Sequence, residues 1–218
     1  MNLIETSRPF NLDEIRILNF LAKKKEREFR QKTKYHYYFI VGFLAIGFSY
    51  LALIIKSDFL VFLFGTIAVF AYGYVIFIPY EIYKKRKHLK SYLLSLNSYI
   101  EKGTITTCLI NSIRIARADE FEDESDLYIV EYEKDKILYL WDTDFDLKKR
   151  FPCLNFEIYE EDFCKLTGRQ IYSLSEKIKP LIIDKKAKWD YMQRNGAPSH
   201  LETESISFDK LIKEYNQS

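Results

Sequence analysis

Three aspartates at alternate positions have the spacing that comes closest to a metal-binding or reactive group. Asp142, Asp144 and Asp146 would lie on one side of an extended segment, because side chains alternate between the two faces of a strand. A calcium-binding loop needs glycine at its sixth position and glutamate at its twelfth, where this chain has leucine and cysteine. We therefore interpret the segment as a solvated acidic turn. The three aspartates and the neighbouring Trp141 remain candidates for binding a ligand or a cation.

The other polar residues do not form a catalytic or cofactor-binding motif. The acidic run of residues 119–126 is expected to be an exposed loop, with a basic partner or a cation as the alternative. Cys108, Cys153 and Cys164 include no close pair, and a zinc site from Cys153, Cys164 and His200 would lack a clear fourth ligand. The sequence has no glycine-rich phosphate loop and no nucleophile elbow. We therefore predict no catalytic residue, no metal and no cofactor, and a protein that is not an enzyme.

Charge is divided unevenly along the 218 residues. Residues 1–100 carry 15 Lys and Arg against 7 Asp and Glu, whereas the remainder is acidic and the whole chain has a net charge of only +2. A nucleic-acid-binding protein is expected to be basic overall, so the sequence argues against nucleic acid as a partner. A basic half beside a membrane would instead contact anionic lipid headgroups.

Two apolar stretches, residues 35–55 and 59–78, are each long enough to cross a bilayer as a helix. They predict a transmembrane hairpin over residues 35–80. Neither stretch contains Asp, Glu, Lys or Arg, which argues against an ion path or a proton relay. Small residues would let helices approach closely, either within the hairpin or between copies in a homo-oligomer. These small residues are Gly42, Ala45, Gly47, Ser49, Gly65, Ala68, Ala71 and Gly73.

Basic residues mark both outer ends of the hairpin, whereas the connecting loop offers only Lys56. Positive charge stays on the cytoplasmic side of a membrane, so we predict that both termini are cytoplasmic and that the loop lies outside. The residues that orient the hairpin in this way are Lys23, Lys24, Lys25 and Arg27 before it, and Lys84, Lys85, Arg86 and Lys87 after it.

The spans are expected to continue as helices on the cytoplasmic side. Asn11 and Glu14 have the spacing of a helix-capping box, and apolar residues recur at helical spacing after them. We therefore predict a basic amphipathic helix within residues 1–34 and a helical extension over residues 81–102 that stops at Gly103. The two would pack as an antiparallel stalk, or the first would lie on the lipid surface.

From residue 103 the pattern changes to short runs rich in β-branched and aromatic residues. Strands are predicted at residues 105–116, 127–132, 136–141 and 154–159, with further strands at 168–174 and 180–183. The predicted fold class is therefore an α+β membrane protein in which residues 103–218 form a small, mostly antiparallel β-domain, either a sheet or a partly open barrel. A short closing helix is predicted from the spacing of Phe208, Leu211, Ile212 and Tyr215.

The segment Ile137–Trp141, followed by Phe151-Pro152 and by Asn155–Tyr159, is similar to uncharacterised bacterial double-pass membrane proteins with a C-terminal β-rich cytoplasmic domain. The resemblance implies a multi-pass protein of the bacterial inner membrane. It carries no functional residue to this chain.

Two functions of different classes fit these expectations. In the first, the hairpin anchors a cytoplasmic β-domain that acts as a non-enzymatic binding or scaffold module for a protein or a small molecule. In the second, the β-domain senses a nucleotide-type signal and the hairpins oligomerise and disrupt the membrane. The second arrangement is similar, in architecture alone, to antiphage effectors that join two transmembrane helices to a nucleotide-sensing β-barrel. A basic, aromatic-lined pocket would favour the effector, and a fully packed domain would favour the module.

Overall fold

The computed structural model describes residues 5–31, 36–122, 124–143, 147–149 and 151–216, apart from the side chain of Lys148. Within these ranges there are six α-helices: α1 (Leu12–Arg30), α2 (His36–Ile54), α3 (Asp58–Lys102), α4 (Glu161–Thr167), α5 (Lys185–Asn195) and α6 (Phe208–Asn216). The strands in the same ranges are β1 (Glu5–Pro9), β2 (Thr104–Asn111), β3 (Arg114–Ala118), β4 (Asp126–Glu133), β5 (Lys136–Asp142), β6 (Asn155–Tyr159), β7 (Ile171–Ser173), β8 (Leu181–Ile183) and β9 (Thr203–Glu204).

The chain divides into two compact units. The helical unit comprises Ile15–Lys102, and the β-unit comprises the described residues up to Glu14 together with those from Gly103 onward. The change of pattern predicts a boundary at residue 103, but no strand is predicted before it. The structure shows that Glu5–Pro9 is a strand, which pairs antiparallel with β2. Residues 5–9 thus contribute to the β-unit and not to the start of a helix.

The strands of the β-unit form two sheets, where we predicted one sheet or a partly open barrel. The four-stranded sheet has the order β1-β2-β6-β7, and the five-stranded sheet has the order β8-β3-β4-β5-β9. Pairing is antiparallel except between β3 and β8. The run at residues 105–116 is split between the two sheets, and the Ser112 N–H donates to the Leu154 carbonyl (2.7 Å) where the chain crosses from one to the other.

Both faces of the five-stranded sheet are buried. On one face, Tyr128 and Val130 share a core with Ile110 and Phe156 of the four-stranded sheet. On the other face, Leu127 and Ile129 pack against α6. Successive residues of β4 therefore enter different layers, which explains why the strand is a continuous buried run and not an alternating one. The predicted closing helix is confirmed, with its four predicted apolar residues buried.

A network of polar and charged side chains joins β1 and the first turn of α1 to β6. Arg8 donates through both terminal nitrogens to the two carboxylate oxygens of Glu14 (2.7 and 3.0 Å), and its Nε donates to Glu157 (3.1 Å). The Tyr159 hydroxyl donates to the same Glu14 (2.9 Å). The predicted capping box is confirmed, because the Glu14 N–H donates to Asn11 Oδ1 (2.8 Å) and the Asn11 N–H donates to Glu14 (2.7 Å).

Helices α2 and α3 are each long and apolar enough, by length and composition, to cross a membrane. Their most apolar windows have mean hydropathies of 2.0 and 2.3, and only 6% of each window is buried. Ala45 and Ala68 are the buried residues in these apolar segments, and Phe48 stacks on Phe64 with ring centres 5.7 Å apart. Most residues in the apolar segments of the hairpin are therefore exposed, and nearly all of the others are half-buried, among the described residues.

Helix α1 and the end of α3 contact each other within the helical unit. Lys25 Nζ lies 5.9 Å from the ring centre of Tyr92, and Arg86 donates to the Gln31 carbonyl at 3.4 Å. Later residues of α1 meet earlier residues of α3, which is the antiparallel arrangement that we predicted for the stalk. Helix α3 ends at Lys102, and Gly103 follows with a φ of 70°, as predicted for a glycine stop.

Two helices, α4 and α5, were not predicted. Helix α5 begins at a standard cap, in which the Asp184 side chain accepts from the N–H groups of Lys186 and Ala187 (2.9 and 3.1 Å). Its inner face does not form an apolar stripe, because the two buried residues of the helix are Lys188 and Met192. A lysine at a buried position conceals the helical period from sequence analysis.

Candidate functional site

A surface groove of about 760 Å³ lies in the β-unit beside β3, β8 and the beginning of α6. Most of its lining is apolar and comes from Ile113, Ile115, Leu154, Ile178, Leu181, Phe208 and Ile212. Its polar lining comes from Arg114, Lys179, Asp209 and Lys213. The groove therefore combines apolar walls with more cationic than anionic side chains.

The groove exists because β8 is shorter than its neighbour. Strand β8 pairs with Ala116–Ala118, so the first two residues of β3 extend beyond it and line the groove. On the other side, α6 is held on the sheet by its buried face, which brings Asp209 and Lys213 to the rim. The groove thus lies at an edge of the five-stranded sheet and not inside the core.

Arg114 is a fixed cation in the wall of the groove. Its Nε donates to Glu131 (2.7 Å) and its Nη1 donates to Asp209 (2.8 Å), and the guanidinium lies 4.6 Å from the ring centre of Phe208. Hydrogen bonds to Glu131 and then to Asp209 raise the pKa of Arg114 above its ordinary value. The guanidinium covers the aromatic ring of Phe208, so that ring does not offer an open stacking surface.

Lys179 and Lys213 give the groove its excess of positive charge. Among the described residues, neither lysine has a carboxylate within ion-pair distance, while the one acidic side chain of the lining, Asp209, is paired with Arg114. Oppositely charged surfaces attract each other and repel like charge, so the groove favours a ligand with negative and apolar parts.

The predicted candidates at the end of β5 have contacts inside the β-unit. The Trp141 indole N–H donates to the Pro198 carbonyl (2.8 Å), and its ring lies 5.5 Å from Lys188 Nζ. Asp142 accepts a hydrogen bond from the Leu147 N–H (2.9 Å). The other two candidates, Asp144 and Asp146, lie outside the described residues. The described part of the chain contains no group of three His, Cys, Asp or Glu that could hold a metal ion.

The acidic run of residues 119–126 was expected to be an exposed loop, but its last residue is buried within the β-unit. Asp126 is buried, accepts from the Glu120 N–H (2.8 Å) and lies 3.5 Å from Arg117 Nε. Arg117 also pairs with Asp119. The interpretation as an exposed loop is therefore wrong for Asp126, because a nearby arginine compensates its burial.

Lys188 is the buried cation that sequence analysis missed. Its ammonium donates to the Ser125 carbonyl (3.0 Å) and lies 3.5 Å from Glu124. Burial lowers the pKa of Lys188 below its ordinary value, and the neighbouring Glu124 opposes that change. These contacts connect α5 to the acidic run.

The residues predicted to orient the hairpin lie on α1 and α3. Seven of the eight are exposed, whereas Lys25 is half-buried and pairs with Glu28 (3.0 Å). The exposed residues are Lys23, Lys24, Arg27, Lys84, Lys85, Arg86 and Lys87. They are accessible for contacts with anionic headgroups, as the predicted role requires.

Comparison with known proteins adds no further information on this site. No protein-family model matches the chain, and neither a curated protein nor a solved structure matches it.

Proposed function

We propose that the chain is a membrane-anchored binding module. Helices α2 and α3 form the anchor as a transmembrane hairpin, both termini lie in the cytoplasm of a bacterial cell, and the β-unit is a non-enzymatic domain that binds a partner in its groove. The observation that carries this proposal is the separation of two surfaces: an uncovered apolar hairpin in one unit and an apolar, cationic groove in the other. The packed core between the two sheets also favours a module over a domain with an internal ligand pocket.

The anchor is tested with lysines on the uncovered face of the hairpin. Phe43 and Phe70 are 75% and 74% exposed within α2 and α3, and lysine in the middle of a span costs about 2.5–3.5 kcal/mol on the insertion scale. Phe43→Lys/Phe70→Lys should move much of the chain from the alkali-resistant membrane pellet to the soluble or degraded fraction. The matched control is Phe20→Lys, on α1 outside the spans, which should behave as the wild type. A hairpin that tolerates both lysines would contradict the anchor.

The groove is tested by photocrosslinking of the full chain in cells. With p-benzoylphenylalanine in place of Leu181, which lines the groove, we expect a discrete crosslinked adduct. The same residue in place of Leu109, which is exposed on β2, should give none. Absence of an adduct at position 181 would contradict a binding function of the groove.

One observation favours a second function, the membrane-disrupting effector. A methyl group added at Gly42, Gly47, Gly65 or Gly73 would meet no described atom within 4 Å, so packing within the hairpin does not require these glycines. Small residues allow close approach of helices, and here that approach could be between copies in a homo-oligomer.

The effector predicts crosslinked oligomers in liposomes and dye release on addition of a cyclic dinucleotide. Gly47→Leu/Gly65→Leu should abolish both, whereas Leu53→Phe, which adds bulk to an exposed position of α2, should abolish neither. A monomeric chain that releases no dye would exclude this second function.

A further inference from the structure

Strand β8 is an open edge of the five-stranded sheet. It is the first strand in the order β8-β3-β4-β5-β9, and it pairs with β3 alone among the described strands. Its first two residues, Leu181 and Ile182, are 48% and 56% exposed. An uncovered edge with apolar side chains is a template for pairing with another extended chain.

The groove continues from this edge. Leu181 belongs to both the strand and the groove lining, and the groove extends from it along the first residues of β3. Side chains on one face of a strand added to β8 would therefore point toward the groove, because alternate residues of a strand share a face. Main-chain pairing would supply general affinity, and the groove would supply selectivity for side chains.

The charges around the edge select the partner. Lys179 precedes β8 by two residues and Lys213 lies across the groove on α6, and neither has a carboxylate partner among the described residues. Acidic side chains on the incoming segment would form ion pairs with these two lysines, while apolar side chains would cover Leu181 and Ile212.

We propose that β8 and the adjoining groove bind an extended segment of another protein, in which apolar residues alternate with other residues and acidic residues outnumber basic ones. This partner class rests on the proposed binding function of the groove and specifies it further. A lipid is the less suitable occupant, because an acyl chain across β8 would cover backbone N–H and C=O groups without pairing them.

The test uses the full chain in phosphatidylcholine nanodiscs and a phage-displayed library of random decapeptides. We expect enriched peptides that are acidic and have alternating apolar residues. The affinity of a synthetic copy, measured by fluorescence anisotropy, should fall about 10-fold or more in Lys179→Glu/Lys213→Glu, since two favourable surface charge pairs become repulsive. The matched control Lys134→Glu/Lys186→Glu makes the same charge change at exposed positions outside the groove and should leave the affinity unchanged.

Three results would overturn the proposal: no enrichment, enriched peptides without acidic excess, or equal loss of affinity in both double variants. A fourth result would assign the groove to lipid and would also overturn the proposal. In that result no peptide is enriched, and phosphatidylglycerol vesicles bind the wild type but not Lys179→Glu/Lys213→Glu. A crosslinked adduct at position 181 together with any of these results would leave the binding function intact and reject only the partner class.

Discussion

Glu14 is a buried carboxylate of the β-unit that receives hydrogen bonds from Arg8, Asn11 and Tyr159. Burial alone would raise its pKa, but the hydrogen bonds outweigh burial and hold the pKa of Glu14 below its ordinary value. A carboxylate with a lowered folded-state pKa stabilises the fold above its unfolded pKa of about 4.3, and this stabilisation is lost as the pH falls through the folded-state value.

Glu14→Gln should therefore lower the free energy of unfolding of the β-unit by about 1.5–3 kcal/mol at pH 7, the range for hydrogen bonds to charged groups. The difference from the wild type should shrink as the pH falls below the unfolded pKa of about 4.3 and through the lower folded-state pKa, where the wild-type carboxylate becomes protonated. Tryptophan fluorescence of the full chain in detergent measures this unit selectively, because both tryptophans of the chain, Trp141 and Trp189, belong to it.

The control for this measurement is Glu133→Gln. Glu133 pairs with Lys136 at an exposed hairpin turn, and such surface pairs contribute little to stability because water and salt screen them. An equal effect of the two substitutions, or an effect of Glu14→Gln that does not change with pH, would contradict the role of the buried network.

Asp142 gives a second prediction at the scale of single residues. Its carboxylate accepts one backbone hydrogen bond, from Leu147, and an asparagine oxygen can accept the same bond. Asp142→Asn should leave the unfolding midpoint close to that of the wild type, whereas Asp142→Ala should destabilise the β-unit by about 1 kcal/mol.

Replacing Asp142, Asp144 and Asp146 together with asparagine should leave folding and membrane insertion intact. A thermal shift induced by divalent cations in the wild type and lost in this triple variant would show that the segment binds metal.

Individual residues also show how far sequence reasoning extends to the site. The capping residues Asn11 and Glu14 were predicted because a cap depends on spacing within one turn of chain. Arg114, Lys179 and Lys213 were not predicted as a group, because they come from three separate segments that only the tertiary fold brings to one groove. The alternation of Ile113, Arg114 and Ile115 was visible, but alternation indicates a strand and not a binding surface.

At the scale of elements, β1 is the most consequential addition to the predicted fold. It covers the edge of β2 over five residue pairs, from Glu5 opposite Cys108 to Pro9 opposite Thr104. A fragment that begins at Gly103 exposes this edge and lacks both Arg8 and Glu14. An uncovered strand edge promotes pairing between molecules, so such a fragment is expected to be less stable and more prone to aggregate.

We predict that fragment Gly103–Ser218 unfolds at a lower urea concentration than a chimera in which residues 5–14 precede Gly103 through a flexible Gly/Ser linker. The chimera should have the higher midpoint, because it restores the pairing of β1 with β2 and returns the hydrogen-bond partners of Glu157 and Tyr159. The control chimera carries residues 5–14 in scrambled order and should behave as the fragment. Equal midpoints for the native and scrambled chimeras would show that β1 does not stabilise the unit.

The elements that were predicted and those that were missed differ in one physical respect. Strands β4 and β5 and helix α6 have local patterns, because a tight turn at Lys134-Asp135 and a regular apolar stripe fix them within short segments. Strand β1 has no such pattern, since its residues are polar and its partner is about a hundred positions away. Helix α5 was missed because one of its two buried positions holds Lys188, which only the tertiary contacts with Ser125 and Glu124 explain.

At the scale of the whole molecule, the proposed function depends on orientation. If the hairpin spans the membrane with both termini inside, then Ser57 in the connecting loop is the point that reaches the outer side, and Ser98 on α3 remains inside. The three native cysteines, all in the β-unit, interfere little with thiol labelling. Cys108 and Cys153 are buried, and burial raises the pKa of the Cys164 thiol to about 11, which leaves little reactive thiolate at neutral pH.

A membrane-impermeant maleimide should therefore label Ser57→Cys in intact spheroplasts, whereas Ser98→Cys should be labelled only after permeabilisation. The physical reason is the basic charge beside α1 and α3, which is retained on the cytoplasmic side during insertion. The reverse pattern would invert the hairpin and move the groove to the outside, where no cytoplasmic partner could reach it. Labelling of both sites in intact spheroplasts would mean that the membrane does not separate Ser57 from Ser98. The anchored module with a cytoplasmic β-unit would then be rejected together with the orientation.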